Sequence, residues 1–187
     1  MSFLFLIPYT YCAGGSIPTN VALNQPTSQS SQDSGGSSER AVDGNHEGVY
    51  DENSCTHTDE SGGAHWWQVD LGNSHDIGRV SIYHRTDCCQ DRLVGAEVIV
   101  SATSSFASGE MCEVLDEAAA QPELVDCNGR AGRYVTVSLR TGNPLTLCEV
   151  EVFPSESGTG GKTCLPRPAP RLALPCLPAC LVDILSP

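Results

Sequence analysis

Between Asn20 and Phe153, apolar side chains recur at every second position in five stretches. These are HWWQVDLG (His65–Gly72), IGRVSIYHR (Ile77–Arg85), GAEVIVSA (Gly95–Ala102), RYVTVSLR (Arg133–Arg140) and LCEVEVF (Leu147–Phe153). A period of two puts one row of side chains in a core and the other in water, the signature of antiparallel strands. The segments between them are rich in Gly, Asp, Asn and Ser, which form turns through permissive backbones or side-chain hydrogen bonds. Only DEAAAQ (Asp116–Gln121) predicts helix, and only for a turn and a half or so. The crossover helices of an α/β enzyme are not found. The expected fold class is therefore all-β, an antiparallel sandwich or barrel.

Both ends differ from this middle. Residues 1–14 carry a short apolar run, Phe3 to Ile7, followed by the small residues Cys12, Ala13 and Gly14. We read this as a truncated secretion signal, because a basic n-region is missing and the run is too short to span a bilayer. Residues 155–187 begin as a Gly/Ser-rich linker and continue as a low-complexity tail holding six of the twelve prolines, with Cys164, Cys176 and Cys180. Proline at that density removes backbone donors and breaks helix. The expected organisation is a truncated signal segment over 1–14, one folded domain over 20–154, and a linker with a low-complexity tail over 155–187.

Composition narrows the function classes. Ten Lys and Arg against twenty-three Asp and Glu give a net charge of −13. Nucleic-acid binding needs a concentrated basic surface, and anchoring on anionic lipid needs the same, so both are disfavoured, and membrane insertion is not expected. Ten cysteines without a zinc-type C-x-x-C pair point to disulfides and an oxidising, extracellular compartment. No N-x-S/T sequon is present.

Three clusters go beyond packing. RTDCCQDR (Arg85–Arg92) follows a strand and holds two adjacent cysteines. Neighbouring Cα atoms lie ~3.8 Å apart, less than the ~4.4 Å of ordinary bridges, so a Cys88–Cys89 bond is strained. The alternative is that each cysteine pairs with a different distant partner. A vicinal bridge makes an apolar sulfur plate, and Arg85 and Arg92 bracket it with donors. A neutral sugar, with hydroxyl edges and C–H faces, suits such a surface. In SCTHTDE (Ser54–Glu60), His57 lies in a polar loop, while His65 and His84 compete with it from strand edges. The third cluster joins ERAVDGN (Glu39–Asn45) to CEVE (Cys148–Glu151). Asp43, Asn45 and Glu149 are hard oxygen donors of the kind calcium prefers. An EF-hand is excluded, because its twelfth position falls on Ser54. From spacing alone Asp-Gly-Asn reads as a turn.

Taken together, NVALNQPTSQSS, RAVDGN, SCTH, WWQVDLG, RTDCCQDR, GRYVTVSL and LCEVEVF resemble the F-type lectins, the fucolectin family, in the order that family shows. The resemblance covers about Asn20 to Phe153 and extends more broadly to discoidin-type domains. It implies a galactose-binding-like jelly roll of eight main strands with the sugar site on loops at one end. It implies that His57, Arg85 and Arg92 hydrogen-bond a terminal α-L-fucose, that a Cys88–Cys89 bridge packs on the sugar, and that Tyr50 lies near the sugar methyl. It implies Cys55–Cys148 and Cys112–Cys127 bridges. It also implies a structural calcium held by Asp43 and Asn45 side chains, Arg40 and Cys148 carbonyls, a Ser54 oxygen and the Glu149 carboxylate. The His57-to-Arg85 spacing is one residue longer than the family's, the extra residue falling in TDESGGA. Asp51 stands where a second aromatic is expected.

The function expected is a secreted, calcium-stabilised, non-catalytic lectin for fucosylated glycans, with homo-oligomerisation supplying avidity and innate recognition as a setting. Two other classes compete. A discoidin-like adhesion module would bind lipid or protein through apolar loop tips without the His/Arg set. A glycosidase, or an enzyme of which this is the carbohydrate-binding part, would need a carboxylate pair, for which Asp87 and Asp91 are the nominal candidates.

Overall fold

The computed structural model describes residues 19–61, 63–118, 120–140 and 142–155. The segments read above as a secretion signal and as the Cys/Pro-rich tail lie outside the described residues, Ser155 excepted. Among the described residues six strands form: β1 (Thr27–Gln29), β2 (His65–Tyr83), β3 (Glu97–Ser101), β4 (Glu110–Val114), β5 (Glu123–Leu139) and β6 (Glu149–Pro154). All pairings are antiparallel, in the order β1-β2-β5-β3-β4, with β6 added to β2.

β2 and β5 run beside each other along most of their length, with register shifts between Asp70 and His75 and again between Ile77 and Arg79. The first half of β2 pairs with the second half of β5, flanked by β1 and β3. The second half of β2 pairs with the first half of β5, flanked by β6. Counting the two halves of each long strand separately turns six strands into eight, and their inner faces meet in one core. The fold is an all-β antiparallel sandwich of the jelly-roll kind.

Inward positions alternate as Trp67, Val69 and Leu71 in the first half of β2 but as Val80 and Ile82 in the second. The parity changes because Gly78 is an extra residue of β2 against β6, between Ile77 opposite Pro154 and Arg79 opposite Phe153, as in a bulge. A side chain at Gly78 would meet the backbone of Ser155, with Cα at 2.9 Å. Trp67 is fully buried and its indole N–H donates to the Ser38 carbonyl at 2.9 Å. Its polar edge is thereby satisfied and its rings fill the core.

Two expectations are corrected. His65–Gly72 and Ile77–Arg85 are not separate strands but one, bent where Gly72 takes φ +75° and its N–H reaches the Asp70 carboxylate. Asp116–Gln121 forms no helix among its described residues. The segment is too short to outweigh the cost of nucleation, and Pro122 disfavours helical backbone at Gln121. Instead Gln121 exchanges hydrogen bonds with the backbone of His84, and the His84 ring nitrogens each lie 2.9 Å from the Arg85 and Ala120 carbonyls. That accounts for His84 as a structural histidine.

Candidate functional site

Three loops meet at the end of the sandwich where β2 stops and β6 starts. The first carries His57. Thr56 and Thr58 are buried and strap this loop to residues 145–147 by four hydrogen bonds, two through their backbones and two through their hydroxyls. On the other side His57 N–H donates to Gly36 O at 2.9 Å and His57 O accepts from Asp33 N–H at 3.0 Å. A Cβ at Gly36 would collide with the His57 backbone nitrogen, so glycine is required there. The imidazole is therefore placed from both sides.

Hydrogen-bond logic fixes its tautomer. Nδ1 faces the Thr58 carbonyl, which only accepts, so Nδ1 carries the proton. Nε2 lies 3.3 Å from Arg92 Nη1, which only donates, so Nε2 presents its lone pair. An acceptor and a neighbouring donor thus converge from chain positions 35 residues apart.

The second loop, after β2, carries Arg85 to Arg92. Arg85 donates from Nε and Nη2 to the two oxygens of Asp87, at 2.9 and 2.7 Å. This guanidinium holds the Asp87 carboxyl down to about 2. Asp87 also accepts from the Cys88 N–H at 3.1 Å and the Tyr50 N–H at 3.4 Å. Asp87 is thus tied to Arg85 through both of its oxygens. Cys88 and Cys89 are bridged and half-buried. Cys89 takes a left-handed φ of +62° and opens the 3-10 turn Gln90–Leu93, from which Arg92 N–H donates back to Cys89 O. The turn brings Arg92 round to His57.

The third loop supplies Tyr50. The Arg85 guanidinium lies 4.7 Å over its ring, and its edge meets the His57 ring at 5.6 Å between centroids. Its hydroxyl donates to Ser34 O at 2.8 Å. Burial raises the phenol pKa above its ordinary value. Arg85, Tyr50, His57 and Arg92 therefore form one contiguous set, joined by the chain to the Cys88–Cys89 bridge. The Gly36 approach, the Thr56/Thr58 straps and the Gly48 carbonyl that accepts from Thr86 were not read from the sequence. His65 lies apart as a buried strand residue.

A second set lies behind the first. Cys55 and Cys148, both fully buried, are bridged and tie the His57 loop to the start of β6. Cys112 and Cys127 are bridged between β4 and β5. Glu149 follows Cys148 and is also fully buried. Its Oε1 accepts from Gly44 N–H at 3.2 Å, while Oε2 has no partner among the described residues. Burial, with smaller contributions from the Asp43 and Glu151 charges, pushes its carboxyl up to about 8. Asp43 and Asn45 are exposed, their side chains accepting from Asn45 and Glu47 N–H. Arg40 donates to Cys55 O and to the Asn53 side chain, and Ser54 Oγ donates to Val49 O. Among the described residues no three His, Cys, Asp or Glu side chains converge on one point.

Comparison with known proteins decides the family. A family model described as a NedA-like, galactose-binding domain matches residues 40–137. Fucolectin-6 of Anguilla japonica is 38% identical over 143 residues, covering 73% of this chain and 76% of the relative. The chain belongs to the F-type lectins. Among solved structures, a Streptococcus pneumoniae fucose binding module is 36% identical with a TM-score of 0.68, covering 74% of this chain and 96% of the module. An F-lectin from Morone saxatilis serum is 34% identical with a TM-score of 0.70, and the match covers 78% of this chain and 52% of that one. The family is one of lectins, and the chain is read with it as non-enzymatic.

Proposed function

We propose that the chain is a secreted lectin for terminal α-L-fucose, bound by His57, Arg85 and Arg92 over the Cys88–Cys89 bridge, within a domain spanning 20–154. The observation that carries this reading is the contiguity of the set: an imidazole lone pair, two guanidiniums and an aromatic ring beside a half-buried disulfide. The His57 Nε2 lone pair, which faces Arg92 Nη1 at 3.3 Å, turns to a sugar hydroxyl as Arg92 redirects that N–H to a sugar oxygen, and the free N–H groups of Arg85 donate to sugar oxygens. The apolar floor meets the C–H face and methyl of the sugar. Fucose binding modules and fucolectins among its relatives support this reading.

A structural calcium ion belongs to the same proposal. The residues fit one: Glu149 holds a buried carboxylate oxygen without a partner, and the surrounding donors are hard oxygens of the kind calcium takes. Glu149 and Asp43 would supply carboxylate oxygens, Asn45 and Ser54 neutral side-chain oxygens, and Arg40 and Cys148 carbonyls. Such an ion neutralises buried charge and pins the Gly44 loop to β6. One shallow site per chain favours several copies acting together, so we extend the reading to a homo-oligomer. The bridges that join its loops suit an extracellular setting. Among the described residues no helix is long and apolar enough to cross a membrane.

Calorimetric titration with L-fucose and with D-galactose tests the proposal. L-fucose is expected to bind and D-galactose to bind at least tenfold more weakly, roughly 1.4 kcal/mol. A Cys88→Ser/Cys89→Ser variant, which opens the floor, is expected to weaken fucose by about tenfold while the fold persists. Equal binding of both sugars, or full affinity in the serine pair, contradicts the assigned site.

A further inference from the structure

The proposed site takes a neutral sugar, and the charges around it decide which neighbours on a glycan it tolerates. Both arginines at the site already face carboxylates. Arg85 is engaged by both oxygens of Asp87, and Arg92 Nη2 lies 3.9 Å from Glu60 Oε1. Glu60 itself is 70% exposed. Asp33 is set on the rim by its backbone bond to His57 O, with its exposed carboxylate accepting from Ser34 N–H. Asp51, exposed, follows the Tyr50 that packs against His57, and its charge acts on Arg85. Asp91, exposed, precedes Arg92. Among the described residues there is no lysine to offset them.

We propose that Asp33, Asp51, Glu60 and Asp91 form an anionic rim that admits neutral fucosylated glycans and rejects those carrying a carboxylate or sulfate beside the fucose. This inference rests on the fucose reading. The physical cause is like-charge repulsion acting across the rim, over a screening length of about 10 Å at 0.1 M salt and about 30 Å at 0.01 M. Glu60 adds a second effect, because it stands where an anionic ligand would otherwise pair with Arg92.

The test compares L-fucose, the Lewis x trisaccharide and its sialylated form on the full chain. In about 0.01 M salt the sialylated glycan is expected to bind about fivefold more weakly than Lewis x, and the gap is expected to narrow to within about twofold at 0.5 M. An Asp33→Asn/Asp51→Asn/Glu60→Gln variant is expected to close most of the low-salt gap. Equal affinity at low salt, tighter binding of the sialylated form, or a gap unchanged in the variant overturns the rim. If L-fucose and Lewis x bind in those cases, the fucose site stands and only the filter falls. If neither binds, both fall.

Discussion

Replacing Arg85 by alanine is expected to reduce fucose affinity by at least about a hundredfold while the protein stays folded. Arg85 lies in a half-buried loop outside the apolar core, so its loss opens no core cavity. What is lost is a guanidinium already immobilised by two bonds to Asp87 and by the Tyr50 ring. A donor fixed before the sugar arrives loses little entropy on binding. Each charge-assisted bond to a ligand contributes about 1.5–3 kcal/mol, and two of them exceed a hundredfold at roughly 1.4 kcal/mol per factor of ten. Arg85→Lys is not expected to rescue binding, because a point ammonium cannot engage both Asp87 oxygens and still present a planar fork. Acid provides a second readout. The Asp87 pKa is depressed to about 2, so its pairing is complete above the ordinary carboxylate range, near 3.8. That pairing is lost only as pH falls from there through about 2. Its contribution to orienting Arg85 is therefore expected to be constant from neutrality down to about pH 4. Fucose titrations of the two variants at neutral pH check the first statement, and an NMR titration of the Asp87 carboxyl carbon from neutrality down to about pH 4 checks the second. Wild-type affinity in Arg85→Ala removes the guanidinium from the site.

Glu149→Gln is expected to make the calcium-free protein more stable at pH 8 and to abolish most of its response to calcium. The carboxyl is buried with one oxygen unpartnered, and burial raises its pKa to about 8. Its sign follows from proton linkage. The folded, calcium-free state holds this proton more tightly than the unfolded chain, where the group titrates near 4.5. Folding is therefore favoured below that value, and the advantage disappears as pH rises through about 8. Calcium needs the ionised carboxylate and so reverses the trend, stabilising the parent more at pH 8 than at pH 6. An ion present at about a hundred times its dissociation constant stabilises by about 2.7 kcal/mol, a melting shift of roughly 5–10 °C for a domain of this size. Thermal melts of parent and variant at the two pH values, with calcium and with chelator, read all four corners. An undiminished calcium shift in Glu149→Gln takes this residue out of the ion's ligand set.

The strands were legible wherever apolar and polar residues alternate, as at Val80 and Ile82 or Val135 and Val137, although the polar residues between them, Ser81 and Thr136, are buried too. The change of parity at Gly78 was not legible, because the bulge exists only against β6, whose residues and the Ser155 backbone close to Gly78 are far away in sequence. Three-residue β1 is too short to show a period. In β4, an edge strand, Met111 is 48% exposed, so its pattern carries little contrast. The alanines of the Asp116–Gln121 stretch suggested helix by propensity, a local preference that the chain reversal into β5 overrode. At the site, motif order pointed to His57, Arg85 and Arg92, while the pairing of Asp87 with Arg85 was not read. The closeness of Glu60 to Arg92 was not read either, since it depends on how the His57 loop is strapped by Thr56 and Thr58. Nor was the isolation of Glu149 Oε2, which only three-dimensional burial creates.

The most direct measurement is a crystal structure of the protein grown with L-fucose and calcium. The sugar is expected within hydrogen-bond distance of His57 Nε2 and of both guanidiniums, with a C–H face against the Cys88–Cys89 sulfurs. Fucose seated elsewhere on the sandwich, or this loop cluster empty at saturating sugar, would contradict the assignment.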